Sequence, residues 1–92
     1  MAILAEQQID ERLAGTEWRR GEGAISRDVK LPDFAAAITL VNRVAALAEE
    51  RNHHPDILVH GWNNVRLTLS THSEGGVTDA DIELAQALDA LL

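Results

Sequence analysis

The stretch Glu49–His72, EERNHHPDILVHGWNNVRLTLSTH, decides the fold and contains all four histidines of this 92-residue chain. It begins inside a helical pattern that Pro55 ends, because the residue before a proline is disfavoured in the α region. Two extended segments follow, 56–62 and 65–69, in which apolar and polar residues alternate. A glycine and two asparagines between them are residues typical of turns. The stretch therefore predicts the end of a helix followed by a β-hairpin.

Residues 33–51, upstream of this stretch, are predicted to form the main helix. Asp33 is placed to cap its first turn, and the helix should end near Arg51 or Asn52. Apolar residues recur with helical spacing for about four turns, which predicts a buried face. That face comprises Phe34, Ala37, Ile38, Val41, Val44, Ala45 and Ala48.

Two more extended segments, 17–20 and 24–31, precede the main helix. Gly21-Glu22-Gly23 lies between them, so a second hairpin is predicted. Ile25, Val29 and Leu31 share one face of the longer segment. Arg27 lies on that same apolar face, so we expect a carboxylate to meet it or its side chain to reach past the sheet edge.

The two ends of the chain are predicted to be helices. Residues 4–14 place Ala5, Ile9 and Leu13 at i, i+4 spacing, and Gly15 can end that helix. Near the other end, Thr78-Asp79-Ala80-Asp81 has the spacing of a capping box. The helix that it opens is predicted to bury Ile82, Ala85, Leu88 and Leu92.

The order of elements is helix, strand, strand, helix, strand, strand, helix. Hairpin-connected strands form antiparallel sheets, and amphipathic helices bury their apolar sides against one face of such a sheet. We therefore predict an α+β fold, with residues 1–92 as one domain, because a chain of this length supports a single core.

Composition and charge exclude several classes of protein. The formal net charge is −7 and the eight basic residues are scattered, which argues against a nucleic-acid-binding surface. The absence of cysteine excludes disulfides and Cys-ligated zinc. The apolar start reaches Glu6 without a basic segment, and no run is long enough to span a bilayer. A cytoplasmic protein is expected, with no membrane and no nucleic-acid partner.

The histidines are the candidate functional groups. His53, His54 and His72 are predicted to converge at one end of the sheet beside loops, where functional residues concentrate. Histidine titrates nearest to neutral pH, so such a cluster can exchange protons. The plain alternative is a set of surface or packing histidines. His60 lies within a strand and is interpreted as a surface residue.

A metal site is a second interpretation of the same residues. Glu49 and His53 are spaced i, i+4, which can place two ligands on one helical face. The helix is expected to end before His53, however, and the adjacent side chains of His53 and His54 should diverge. We therefore expect no metal. Trp18 and Trp62 are expected in the core or at an interface, and Asp81 is explained as the capping residue.

The spacing of these residues resembles the signature of the pterin-4a-carbinolamine dehydratases. The pattern comprises Glu49, His53-His54-Pro55, Trp62, His72 and Asp81, and it extends upstream through Trp18, Ala24-Ile25-x-Arg27 and the main helix. This resemblance implies a four-stranded antiparallel sheet with three helices on one side. It also implies a hydro-lyase that removes water from 4a-hydroxytetrahydropterin to give quinonoid dihydropterin, in tetrahydrobiopterin recycling, without metal or other cofactor.

The resemblance also implies the site residues. The catalytic set is His53, His54, His72 and Glu49, and the substrate-binding set is His53, His54, Pro55, Trp62, Thr71, His72, Ser73, Glu74 and Asp81. We hypothesise that His53 and His72 form the acid–base pair, while His54 binds or orients the substrate. Glu49, if it meets His53, would determine the tautomer of that imidazole. Trp62 stands where the family commonly has tyrosine.

Two other functions stay open beside the enzyme. Family members in animals act as dimerisation cofactors of a homeodomain transcription factor, and an acidic protein-interaction module would suit that role. A histidine-rich metal binder is the third hypothesis. A homodimer or homotetramer is expected in each case, because the sheet edges of so small a domain are open to pairing.

Overall fold

The computed structural model describes residues 2–92. The elements in chain order are α1 (Glu6–Leu13), β1 (Arg19–Arg20), β2 (Ile25–Lys30), α2 (Phe34–Arg51), β3 (Asp56–His60), β4 (Asn64–Leu69) and α3 (Asp79–Asp89). Three helices and one four-stranded antiparallel sheet confirm the predicted α+β fold and its element order. Within this described range, no helix has both the length and the apolar character that crossing a bilayer requires.

The strands lie in the order β1-β2-β4-β3, and every neighbouring pair is antiparallel. The central pair is in register from Ile25 opposite Leu69 to Lys30 opposite Asn64. The last pair runs from Asp56 opposite Thr68 to His60 opposite Asn64. As a result β3 is an edge strand, and its N-terminal end, which follows the histidine pair, lies beside the C-terminal end of β4.

Alternation along the strands separates an apolar face from a charged face. Ile25, Val65 and Leu67 are fully buried in the core that the sheet shares with the helices. On the opposite face Asp28 accepts hydrogen bonds from Arg66 Nε and Arg19 Nη2, both at 2.7 Å. The Arg66 hydrogen bond is the first cause that holds the pKa of Asp28 below its ordinary value. Because three charged side chains from neighbouring strands meet here, this face of the sheet is exposed to solvent.

The ends of α2 were predicted correctly. Asp33 Oδ1 accepts a hydrogen bond from the Ala36 amide at 2.7 Å and caps the first turn. The helix ends at Arg51, because Asn52 adopts a left-handed conformation with φ of 50°. Its own amide donates to the carbonyls of Ala48 and Glu49.

The predicted buried face of α2 was partly wrong. Ala37, Leu40, Val44 and Ala48 are buried, whereas Phe34 is 55% exposed, Ile38 is 37% exposed and Ala45 also faces solvent. Apolar residues occupy more than half of the circumference of this helix. Helical periodicity therefore identifies α2 as amphipathic, but it does not decide which part of the broad apolar arc packs on the sheet.

Smaller corrections concern the ends of elements. The strand predicted over 56–62 ends at His60, because Gly61 and Trp62 both have left-handed φ values, 55° and 59°. The helix predicted over 4–14 is shorter, and Ala5 is exposed. At the other end α3 buries Ile82, Ala85 and Leu88 as predicted, together with Leu84. Leu92 lies beyond the end of α3 and is partly exposed.

The arginine on the apolar face of β2 meets a carboxylate, which confirms one of the two expected outcomes. Arg27 Nη1 donates to Asp89 Oδ1 at 2.6 Å, and the indole Nε1 of Trp18 donates to the same oxygen at 2.7 Å. Trp18 itself is buried in the core. The last turn of α3 is thereby tied to β2 and to the segment before β1.

Substitution Asp89→Ala should destabilise the protein by about 2–3 kcal/mol, because it leaves a partly buried guanidinium and an indole N–H without their shared acceptor. Urea unfolding monitored by circular dichroism measures the change. Asp79→Ala is the matched control: it removes an exposed ion pair with Arg12 from the same helix and should cost at most about 1 kcal/mol. Equal losses in the two variants would contradict the structural role of Asp89.

Candidate active site

After the end of α2, the side chains of the two adjacent histidines point in different directions. Asn52 reverses the chain, and the His53 amide donates to the Ala48 carbonyl at 3.1 Å. The side chain of His53 turns inward towards α3 and is 19% exposed. That of His54 turns outward and is 56% exposed. The adjacent side chains diverge, as expected.

The carboxylate of Asp81 is fully buried and contacts both His53 and Thr71, so it links two parts of the candidate site. Its Oδ1 lies 2.5 Å from His53 Nε2. Its Oδ2 accepts hydrogen bonds from the Thr71 hydroxyl at 2.8 Å and from the Thr78 amide at 2.9 Å. The capping box predicted for Thr78 and Asp81 is present, and the same carboxylate also holds one histidine and one threonine.

The loop after β4 places His72 next to Thr71, whose hydroxyl bonds this carboxylate. The Thr71 amide donates to the Gly76 carbonyl at 2.9 Å, and the Thr71 carbonyl accepts from the amides of Glu74 and Gly75. Gly75 has φ of 76°, a conformation that favours glycine. The closed loop exposes His72 and Ser73 at its tip. Because Thr71 is bonded to Asp81, the structure brings the His72 loop and His53 to the same end of the sheet.

Glu49 contacts His54 and not His53. One of its carboxylate oxygens is paired with His54 Nε2, and both side chains are exposed. The condition under which Glu49 would determine the tautomer of His53 is therefore not met, because His53 is paired with Asp81. The physical cause is the left-handed Asn52, which turns His53 under α3 and leaves His54 on the side of the helix where Glu49 lies. Nothing in the local spacing indicates that Asp81, 28 residues later, is the partner of His53.

Trp62, which was predicted to bind substrate, lies at the opposite end of β3 from His53 and His54. It follows β3, whereas His53, His54 and Pro55 precede it. At about 3.3 Å per residue, the five residues of β3 separate the two ends by roughly 17 Å. Trp62 is 62% exposed, so it does not belong to the core of its own chain. His60 is exposed, as predicted.

His54 and His72 are exposed, and His53 is partly buried. A cavity of about 650 Å³ adjoins the same loop on the side of α1, but its lining contains no histidine. It is formed mainly by the N-terminal segment, by the turn between β1 and β2, and by residues 75–77. Over residues 2–92, no three His, Asp or Glu side chains are grouped closely enough to hold a metal ion.

Comparison with known proteins identifies the family. The family model described as "Pterin 4 alpha carbinolamine dehydratase" matches residues 2–91. A protein of Mycolicibacterium vanbaalenii named as a pterin-4-alpha-carbinolamine dehydratase is 44% identical over 93 residues, covering 100% of this chain and 99% of that protein. One of Mycobacterium tuberculosis with the same name is 45% identical over 92 residues, covering 99% and 97%.

Two solved structures share the fold. The crystal structure of a "transcriptional coactivator/pterin dehydratase" from Brucella melitensis superposes with a TM-score of 0.89 at 36% identity, covering 98% of each chain. A pterin dehydratase-like protein described as a RuBisCO assembly factor in the alpha-carboxysome has a TM-score of 0.69 at 26% identity, covering 84% of this chain and 90% of that one. With full-length matches to both sequences and a structure, the chain belongs to the pterin 4 alpha carbinolamine dehydratase family, a family of hydro-lyases.

Proposed function

We propose that this protein dehydrates a 4a-hydroxytetrahydropterin to the quinonoid dihydropterin by histidine acid–base catalysis, in the recycling of tetrahydrobiopterin or a related pterin. Family membership supports the type of reaction. One observation supports the site: the buried Asp81 carboxylate holds His53 and also holds Thr71, the neighbour of His72. Two groups able to exchange protons thus come from separate elements to one end of the sheet.

The reaction requires two proton transfers. The C4a–O bond breaks as the N5 lone pair forms the C4a=N5 double bond, and the leaving hydroxide takes a proton to become water. The proton on N5 must then be lost, so the products are water and the quinonoid dihydropterin. One group acts as general acid at the leaving oxygen and another as general base at N5. Imidazole suits both roles because its pKa lies near the working pH.

The contact with Asp81 determines which nitrogen of His53 is available. Asp81 Oδ2 already accepts two hydrogen bonds, and a carboxylate Oδ1 facing Nε2 is satisfied when that nitrogen carries the proton. Neutral His53 is then the Nε2–H tautomer, with Nδ1 free to accept a proton. In this role Asp81 is a positioning residue, because its carboxylate is buried and acts through His53.

The remaining residues suit substrate binding. His54 is exposed and held by Glu49, which orients its ring at the rim of the site. Pro55 continues the segment from His54 into β3. The tip of the loop, residues 71–74, presents Ser73 and His72 to solvent. We therefore assign the acid and base to His53 and His72, and pterin contacts to the exposed groups around them.

A protein-interaction role is the second candidate. The Brucella structure is described as a transcriptional coactivator as well as a pterin dehydratase. In this chain Phe34 and Ile38 expose apolar surface on α2, and β3 is an open sheet edge. Exposed apolar surface of this kind is typical of protein interfaces. We propose that these surfaces support a homodimer or homotetramer.

The tautomer assignment predicts the spectrum of His53. At a pH where the ring is neutral, ¹⁵N–¹H correlation spectra should show Nε2 protonated and Nδ1 unprotonated, because Asp81 accepts from Nε2. Asp81→Ala should move the resonance of the Nε2-bound proton upfield, because it removes the acceptor of that proton. His60, which is exposed, is the internal control. A protonated Nδ1 on neutral His53 in the wild-type protein would contradict the assignment.

Substitutions should separate the histidine roles. His72→Ala and His53→Ala should each lower kcat by about 10²–10⁴-fold, as expected for general acid–base groups. His54→Ala should mainly raise KM, and His60→Ala, the control, should have almost no effect. The double substitution of His53 and His72 should cost less than the product of the singles, because groups acting as a unit are not additive. A silent His72→Ala would exclude the assignment.

Chelation separates the acid–base mechanism from a metal mechanism. We expect dehydration of 4a-hydroxytetrahydropterin and the melting temperature to be unchanged after treatment with EDTA and dialysis, since the proton transfers are assigned to side chains. The assay compares treated and untreated protein with the spontaneous rate subtracted. Zinc or iron present in stoichiometric amount, and lost together with activity, would favour the metal binder.

Light scattering tests the proposed assembly. The measured mass at micromolar concentration should exceed that of the 10.0 kDa chain, because β3 and the exposed face of α2 offer surfaces for self-association. The double variant Phe34→Ser with Ile38→Ser tests whether the α2 face contributes, since both residues are exposed and the fold should tolerate them. A monomeric wild-type protein would refute the homo-oligomer.

A further inference from the structure

The N-terminal segment, residues 2–5, lies against the base of the loop that follows β4. The Leu4 amide donates to the Val77 carbonyl at 2.8 Å. The side chain of Ile3 lies over Gly76, since a Cβ atom built on that glycine would be 3.0 Å from Ile3 Cγ2. Ile3 is 53% exposed, whereas Gly76 and Val77 are buried. The segment therefore contacts two consecutive residues of the loop base, one by packing and the other by a hydrogen bond.

Gly76 also closes this loop. It pairs with Thr71 in an isolated antiparallel bridge, in which the Thr71 amide donates to the Gly76 carbonyl at 2.9 Å. Residues 72–75, between the two, are all exposed, so the tip of the loop lies outside the core. His72 is the first residue of that tip. Its position therefore depends on the loop base, where Thr71 is bonded to Asp81 on one side and to Gly76 on the other.

The N-terminal segment is itself anchored at its other end. Ala5 is the N-cap residue of α1, and its amide donates to Gln8 Oε1 at 2.7 Å. Arg20 ties the first turns of α1 to β1, because it pairs with Glu6 and with Asp10, each at 2.8 Å. Contacts at both ends thus restrict the segment, and through it the base of the loop.

Gly76 has no side chain at the place where Ile3 lies. Its φ is not in the left-handed region, so an added methyl group would meet a neighbouring side chain and not a strained backbone. The three nearest atoms would be Cγ2, Cδ1 and Cγ1 of Ile3, at 3.0, 3.5 and 3.6 Å. Ile3→Ala removes all three. One substitution therefore creates a crowded contact at this pair, and the other relieves it.

We propose that the N-terminal segment is a clamp that positions His72, with Ile3 and Leu4 as its positioning residues. The inference rests on the proposed function and adds to that site two residues that act through the loop, without touching the reacting atoms. Proton transfer requires the acid or base within hydrogen-bond distance of its target, and a displacement of about 1 Å can cost about 10²-fold in rate. By holding Gly76 and Val77, the clamp prevents such a displacement of the loop.

Kinetics of single and double variants test the clamp. Gly76→Ala and Ile3→Ala should each lower kcat for 4a-hydroxytetrahydropterin about tenfold, because each disturbs the loop base. Leu4→Pro, which deletes the amide that donates to Val77, should act in the same direction. The double variant of Gly76→Ala with Ile3→Ala should lose no more than the single variants, because the added methyl group occupies space that Ile3 has left. Leu92→Ala is the control: it shortens another partly exposed apolar side chain, beyond α3, and should leave kcat unchanged.

Amide hydrogen exchange tests the clamp without any assay of activity. The Thr71 amide is bonded to the Gly76 carbonyl, so exchange of its hydrogen reports opening of the loop base. Ile3→Ala should accelerate this exchange about tenfold. The internal control is the Leu31 amide, which donates to the Asn63 carbonyl at 2.8 Å, outside the loop, and its exchange should not change. Because Ile3 is more than half exposed, Ile3→Ala should fold like the wild-type protein.

The outcomes are separable. Wild-type kcat in both single variants would overturn the clamp, as would losses that multiply to about 10²-fold in the double variant. Equal acceleration of the Thr71 and Leu31 amides would indicate a general loss of stability and would overturn it as well. A wild-type protein without dehydratase activity would instead refute the proposed function, and hydrogen exchange would still report whether the N-terminal segment holds the loop.

Discussion

The candidate site depends on the hydrogen bonds that the buried carboxylate of Asp81 accepts. A carboxylate without access to water is costly to bury unless hydrogen bonds replace its hydration. Three donors surround this one: the Thr71 hydroxyl, the Thr78 amide and, in the assigned tautomer, His53 Nε2. Its position in the first turn of α3 adds the favourable field of the helix N-terminus. The donors that stabilise the charge of Asp81 therefore also hold His53 and the loop after β4 next to α3.

Each donor comes from a different part of the chain. One belongs to the segment after α2, one to the loop after β4, and one to the N-cap of α3. Their meeting requires α2 and α3 to pack on the same face of the sheet, and the register of β3 and β4 to bring the start of one strand beside the end of the other. The hydrophobic core thus fixes the positions of these elements, while the polar network at its border connects the residues of the candidate site. The Arg27–Asp89–Trp18 contact ties the other end of α3 to the sheet.

The surfaces that the core leaves uncovered have different characters. The outer face of the sheet carries the ion pairs of Asp28 and remains polar. The edge at β3 and the arc of α2 around Phe34 and Ile38 are apolar and exposed. This acidic chain therefore keeps apolar surface exposed in two places, and large exposed apolar patches are typical of protein interfaces.

Local sequence determined the elements, their order and the ends of α2. Alternation, helical periodicity and the cap residues Asp33, Asn52 and Thr78 act through neighbours along the chain, so they can be recognised without knowledge of the fold. The spacing of the histidines pointed to the family, and the sequence comparison confirmed it. The tertiary structure decided which part of the apolar arc of α2 is buried, because that choice depends on the shape of the sheet. It also decided that His53 pairs with Asp81, His54 with Glu49, and that Trp62 lies at the far end of β3. These contacts depend on the direction in which one left-handed residue turns the chain and on packing between distant elements, which local patterns do not encode.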